Sequence, residues 1–228
     1  MIALRRSRIL GAAVIAASAI AGLASSQAPA PLGPAATPFD LQPDRAEAAA
    51  LDQARQNPFI ARLRGVSANL PQVGVVLDQA ASSNVPVLAP ADPGLLQTAR
   101  FYPADTHYTL VVRPPGRIVE IYGTTRAFRP ADPVRPGATA QAPVAARAPQ
   151  RTTAARAEAQ AQALAQARAR GLETIIAERT EYGVDVAFSR FGAAYNVTFV
   201  CDAQGPPDCD EAAAIRFAAG LELIGGGG

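Results

Sequence analysis

Two cysteines, Cys201 and Cys209, carry the most reactive side chains of the sequence, and they are its only cysteines. An even cysteine number in an exported chain predicts a disulfide, and export is indicated by the leader described below. The alternative is a redox-active pair. The spacing is not C-x-x-C, and the aspartates around the two thiols disfavour the thiolate, so we predict a structural disulfide.

His107 is the only histidine of the chain, so a zinc site or a Ser-His-Asp triad would have to use it. No ligand cluster of recognised spacing accompanies it, and the sequence contains no G-x-S-x-G motif. We predict that His107 is an exposed strand residue or a local hydrogen-bonding group. A glycine-rich phosphate loop is also missing, and we predict no metal, cofactor or catalytic residue.

Carboxylates could support a second kind of chemistry, because glycoside hydrolysis needs a pair of them. Those near predicted strands are Glu120, Glu178, Glu181 and Asp185. The alternative interpretation of each is a charge on the solvated face of a sheet. A small secreted hydrolase that uses carboxylates therefore stays an alternative function.

Polar residues on the predicted strands form the candidate ligand face, which could bind a peptide or a glycan. Its predicted members are Glu120, Asp185, Asn196 and Thr198. Thr109, Thr124 and Thr125 belong to the same polar pattern.

Two β-hairpins are predicted to position these residues. Apolar and polar residues alternate over 106–113 and return over 118–122 after Pro114-Pro115-Gly116. Alternation recurs over 184–189 and 195–201, around a turn at Phe191-Gly192. One apolar and one polar face is typical of an antiparallel sheet that is packed on one side.

Helices are predicted before the first hairpin and after the second one along the chain. Asp44 and Glu47 have capping-box spacing before a helix that ends at Asn57-Pro58, and further helical segments follow from Phe59 and Leu70. Asp92-Pro93-Gly94 reads as a turn. Asp208 and Glu211 predict a second capping box before a helix that Gly220 ends, and Gly225–Gly228 reads as a flexible tail.

The organisation along the chain follows from these elements. Residues 27–42 are rich in proline and alanine and predict a disordered tether. Residues 129–171 are rich in proline, alanine and arginine and predict an insertion with a solvated helix, because Leu164 is its only large apolar side chain between 152 and 170. Residues 43–128 and 172–226 then form the two parts of one α+β domain.

The first 26 residues are typical of a secretory signal peptide. Arg5, Arg6 and Arg8 precede an apolar run from Ile9 to Ala24, and small residues precede Gln27. The apolar run is short for a membrane span, although an uncleaved anchor is the alternative. We therefore expect a periplasmic or secreted protein.

Composition restricts the partners. The chain has no lysine, and its 21 basic residues stand against 19 acidic ones. Cleavage would remove three arginines and leave 18, so the mature chain is close to neutral and nucleic acid is not an expected partner. The arginine-rich insertion could contact an anionic envelope polymer, and a simple tether is the alternative.

Three segments carry a resemblance to a group of proteins. They are VPVLAP with DPGLL, EIYGTTRAF, and GVDVAFSRFGAAYNVTFVCD with CDEAAAIRFAAGLELIGG. Over about Val85–Phe128 and Glu173–Gly226 the chain resembles a group of uncharacterised secreted proteins of alphaproteobacteria. The resemblance implies an exported α+β domain and no particular reaction.

These observations predict an α+β fold. An antiparallel sheet of about four to six strands should have helices on one face, with the Ala/Arg insertion projecting from it. The function that we expect is an exported, non-catalytic module that binds a protein or glycan of the cell envelope. A carboxylate hydrolase and a structural tether are the alternatives.

Overall fold

The computed structural model describes residues 37–129, 150–201 and 209–227, which contain six helices and ten strands. The predicted signal peptide, 1–26, lies outside the described residues. The helices are α1 (Arg45–Arg55), α2 (Phe59–Ser67), α3 (Pro71–Ala81), α4 (Pro93–Gln97), α5 (Gln150–Ala169) and α6 (Glu211–Ala219). The strands are β1 (Thr37–Asp40), β2 (Val87–Pro90), β3 (Arg100–Pro103), β4 (His107–Val112), β5 (Arg117–Thr124), β6 (Arg126–Arg129), β7 (Glu173–Arg179), β8 (Gly183–Arg190), β9 (Ala193–Cys201) and β10 (Leu221–Gly225).

A six-stranded sheet organises the fold, with the strand order β3-β4-β5-β9-β8-β7 and antiparallel pairing throughout. Both predicted hairpins are confirmed, β4–β5 and β8–β9, and they meet where β5 pairs with β9. Burial alternates along β4 and β9, as a sheet packed on one side requires. The predicted α+β class, with an antiparallel sheet and helices, is confirmed.

Two buried tyrosines fasten β2 to the packed face of this sheet. The hydroxyl of Tyr108 accepts a hydrogen bond from the Leu88 amide at 2.9 Å and donates to the Leu88 carbonyl at 3.3 Å. The Tyr195 hydroxyl donates to the Pro86 carbonyl at 2.9 Å. Burial raises the pKa of both phenols, so both hydroxyls stay protonated and able to donate. We call this arrangement the tyrosine clamp.

Gly123 provides the space that the tyrosine clamp needs. It lies between the two tyrosines in the register of β4, β5 and β9. A Cβ atom at this position would lie 2.9 Å from Tyr195 Cε1 and 2.9 Å from Tyr108 Cζ. Phe101 stacks on Tyr108, and Phe188 stacks on Tyr195, so an aromatic band crosses the core.

Helix α6 and the β2–β10 pair cover the packed face. Ala214 and Ile215 of α6 are fully buried, and Phe217 meets Phe199 of the sheet edge-on at 5.3 Å. The apolar side of α6 therefore packs on the sheet. The N-cap of α6 is Asp210, whose side chain accepts from the Ala213 amide, so the predicted capping box of Asp208 and Glu211 is wrong.

The N-terminal helices agree with the sequence prediction. Asp44 and Glu47 form the predicted capping box at the start of α1. In α3, Val73, Val76 and Leu77 are buried, as their helical spacing predicts.

Helix α5 is not fully solvated, which corrects the prediction for the insertion at 129–171. Ala163 and Ala167 are buried and Ala159 is partly buried, so a stripe of alanines spaced four residues apart packs against α6. Small side chains allow two helices to approach closely without large apolar residues. Residues 130–149 of the predicted insertion lie outside the described residues.

Three other segments differ from their predictions. Residues 37–40 of the predicted tether, 27–42, form β1 and pair with β6. Asp92 caps α4 rather than opening a simple turn. The predicted flexible tail is ordered from Gly225 to Gly227, because Gly225 pairs with Val87 and the Gly227 amide bonds to the Ser83 carbonyl.

No helix within the described ranges is long and apolar enough to cross a membrane.

Gly123→Ala should destabilise the fold by about 1–3 kcal/mol, because the new methyl group overlaps the tyrosine clamp. Gly65→Ala is the matched control, since a Cβ there would meet no atom within 4 Å in α2. The control should stabilise the protein by about 0.5–1 kcal/mol. Urea unfolding measures both, and equal stabilities for the two variants would contradict the clamp geometry.

Stability should also depend on the ion pair between β7 and α6. Arg179 binds Glu211 through two hydrogen bonds of 3.1 Å, which lower the pKa of Glu211. A lowered folded-state pKa stabilises the protein above the ordinary glutamate pKa of about 4.3, and this stabilisation is lost as the pH falls below it.

The arginine is half exposed, so we expect a contribution of only about 0.5–1 kcal/mol. Arg179→Gln should flatten the fall in unfolding free energy between neutral and acidic pH. Arg216→Gln, the control, removes an exposed charge from α6 and should leave the pH profile as it is. Parallel profiles for the wild type and Arg179→Gln would refute the assignment.

Candidate functional site

The second face of the six-stranded sheet is the candidate site, and we call it the open face. Strand alternation places every second side chain of β4, β5, β9 and β8 on this face. Tyr108 and Val197 point into the core, for example, so Thr109 and Asn196 point to the open face. The four predicted ligand-face residues, Glu120, Asp185, Asn196 and Thr198, all lie there on three adjacent strands.

Four of the side chains on the open face form one cross-strand line, which we call the acidic row. Its members in order are Glu120, Thr198, Asp185 and Glu178. Asp185 and Glu178 are direct neighbours, and like charges in that position destabilise a sheet. Glu120 lies two strands from Asp185, about 9.5 Å between Cα atoms.

Asp185 has an unsatisfied carboxylate oxygen. Its Oδ1 atom is buried and has no hydrogen-bond partner among the described residues. The neighbouring Thr198 hydroxyl oxygen accepts a hydrogen bond from Asn196 Nδ2 at 3.0 Å. Burying an acceptor without a donor costs free energy, so this oxygen lowers the stability of the fold.

Beside the acidic row lies a second line, the aromatic row, which consists of Tyr102, Thr109, Tyr122 and Asn196. Tyr102 is 58% exposed and Tyr122 is 38% exposed. The ring of His107 lies 5.6 Å from the ring of Tyr122, so the predicted exposed histidine contributes to an aromatic patch. Exposed tyrosines offer a flat apolar surface with a polar end.

Both tyrosines of the aromatic row are absent from the predicted ligand-face residues. Tyr102 belongs to β3, a strand of four residues that ends at Pro103 and is too short to show a clear alternation. Tyr122 was assigned to a strand, but not to the ligand face. The available signal was its spacing of two residues from Glu120, which puts both on one face.

Thr124 belongs to the predicted polar pattern, but its hydroxyl makes structural hydrogen bonds instead of being available to a ligand. It is buried, and its hydroxyl donates to the Thr106 or Arg126 carbonyl and accepts from the Arg126 amide. These bonds hold the bend between β5 and β6.

The carboxylates considered for hydrolysis lie apart from the cavities. Five surface cavities of the described chain are lined by other residues than Glu120, Glu178, Glu181 and Asp185. Glu181 lies in the turn between β7 and β8. Within the described ranges, no group of three or more His, Cys, Asp or Glu side chains is placed to hold a metal ion.

The cysteines form the predicted disulfide, Cys201–Cys209, with their Cα atoms 6.5 Å apart. It joins the end of β9 to the residue before the N-cap of α6. Next to it, the Arg117 guanidinium lies over the Phe199 ring at 5.0 Å. The bridge therefore anchors the helix that covers the packed face.

Comparisons with protein-family models, with curated proteins and with solved structures found no match to this chain.

Reduction of the disulfide should lower the free energy of unfolding by about 2–3 kcal/mol, because the open loop gains chain entropy in the unfolded state. Urea unfolding with and without reductant measures this difference. The Cys201→Ala, Cys209→Ala double variant is the control, and it should be insensitive to reductant. An unchanged wild-type midpoint under reducing conditions would contradict a stabilising bridge.

Proposed function

We propose that the protein is an exported, non-catalytic module that binds a glycan of the cell envelope on its open face. The observation that carries the proposal is the aromatic row beside an acidic row with an unsatisfied carboxylate. Sugar rings stack their C–H faces on tyrosine rings, and their hydroxyl groups donate hydrogen bonds to carboxylates and amides. The open face offers both kinds of group on adjacent rows.

The spacing of the tyrosines supports an extended polysaccharide. Tyr102 and Tyr122 are two strands apart, about 9.5 Å between Cα atoms. This is close to the length of a disaccharide repeat in an extended glycan. Three carboxylates in the acidic row repel anionic polymers, so the glycan we propose is neutral or carries amino groups at the contact.

Retention on insoluble polysaccharides tests the proposal. The exported form should be retained on at least one of peptidoglycan, chitin and cellulose, at low and at high salt, because stacking is screened little. Tyr122→Ala and Tyr102→Ala should each weaken retention about tenfold. Tyr182→Ala is the control, since Tyr182 is 69% exposed in the β7–β8 turn, outside the aromatic row.

Three results would overturn the proposal. Equal retention of the two aromatic-row variants and the control would exclude the open face. No retention on any of the polysaccharides would exclude a glycan and leave a protein partner. Release of soluble sugar from the polysaccharide would favour the hydrolase alternative.

The Asp185→Asn variant tests whether Asp185 contributes to glycan binding or only to folding. The change removes the repulsion between Asp185 and Glu178, so the fold should become more stable by about 0.2–1 kcal/mol. It also removes a charged acceptor, so glycan retention should fall. Glu222→Gln, which changes a carboxylate outside the open face, should leave retention unchanged. A variant that loses both stability and retention would indicate a purely structural Asp185.

A further inference from the structure

A polar cavity lies away from the open face. It has a volume of about 430 Å³, which is within the usual range for small-ligand sites. Helix α1, the link between α5 and β7, the β8–β9 turn and β10 contribute its walls. Its ionisable lining residues are Asp44, Glu47, Arg170, Glu173, Arg190 and Glu222.

Most of these charges are already engaged. Asp44 and Glu47 form the capping box of α1. Arg170 Nη1 forms an ion pair with Glu222 Oε1 at 3.6 Å, so the second carboxylate oxygen of Glu222 is the one that could contact another cation. Arg190 is the remaining cation of the cavity, and no carboxylate lies within 4.0 Å of it among the described residues.

Arg190 is held in place although it lacks a carboxylate partner. Its Nη1 donates to the Leu221 carbonyl at 3.2 Å, and its guanidinium lies over the Phe191 ring at 4.5 Å. Burial lowers the pKa of Arg190, and nearby Glu222 opposes this shift. A guanidinium has five N–H donors, so most of them stay free for a planar acceptor such as a carboxylate.

A second, mainly apolar cavity of about 390 Å³ shares two wall residues with the first, Asn57 and Glu222. Phe59, Leu63 and Val66 of α2 contribute its apolar lining. Glu222 therefore lines both the polar and the apolar cavity, and Arg190 lines the polar one.

We propose that the two cavities form one site for a free apolar amino acid. The ligand carboxylate binds Arg190, its ammonium group binds Glu222, and its side chain enters the apolar cavity. Each group of the ligand then meets a group of opposite charge or like polarity. This site is separate from the open face and independent of glycan binding.

Calorimetric titration of the whole oxidised chain with leucine tests the proposal. Leucine should bind, whereas leucinamide, N-acetylleucine and glycine should each bind at least about tenfold more weakly. Leucinamide lacks the carboxylate, N-acetylleucine lacks the ammonium group, and glycine lacks the side chain. No heat with leucine, or equal affinity for leucine and leucinamide, would overturn the proposal.

Variants assign the contacts. Arg190→Gln and Glu222→Gln should each reduce leucine affinity about tenfold or more. Arg216→Gln, which changes an exposed side chain of α6 outside both cavities, is the matched control. Because Arg190 also bonds Leu221, thermal unfolding must show that Arg190→Gln is folded. If Arg190→Gln does not fold, the leucine affinity of Glu222→Gln is the deciding measurement. Unchanged leucine affinity in that variant would overturn the assignment.

Discussion

Hydrogen bonds join two buried tyrosines to the backbone of Pro86 and Leu88, at the start of β2, and hold this strand against the closed face of the sheet. Tyr108 and Tyr195 lie on either side of Gly123, and their hydroxyls reach Leu88 and Pro86. A buried hydroxyl and a buried strand backbone both need partners, and here each satisfies the other. The position of β2 then fixes that of β10, its antiparallel partner, which carries Glu222 and Gly225. The core and both candidate sites thus depend on this contact.

Closing one face leaves the other accessible for the binding that we propose. The open face has features that a purely structural surface avoids: neighbouring carboxylates at Asp185 and Glu178, a buried oxygen without a donor, and exposed tyrosines. Each of these costs stability or adds apolar surface to solvent. A bound glycan would cover the rings and supply hydroxyl donors to the accessible carboxylate oxygens of the acidic row. The features that lower the stability of the open face are therefore the features that we propose bind the glycan.

The sequence predicted the elements whose pattern is local. Alternation identified β4, β5, β8 and β9, and it placed Glu120, Asp185, Asn196 and Thr198 on one face. It could not show that β5 pairs with β9, which brings Glu120 and Asp185 into one row, because strand order is a tertiary property. Helix α5 was misjudged since alanine was not counted as a packing residue, although Ala163 and Ala167 are buried. The cavity at Arg190 joins four distant segments and has no local signal at all.

The open face is tested most directly by amide chemical-shift mapping of the whole oxidised chain during titration with soluble chitin and peptidoglycan fragments. Binding on the open face should shift the amides of Tyr102, Tyr122 and Asn196, while those of α6 stay unchanged. Shifts confined to α5 and α6, or no shifts at saturating fragment, would contradict a ligand surface on this side of the sheet.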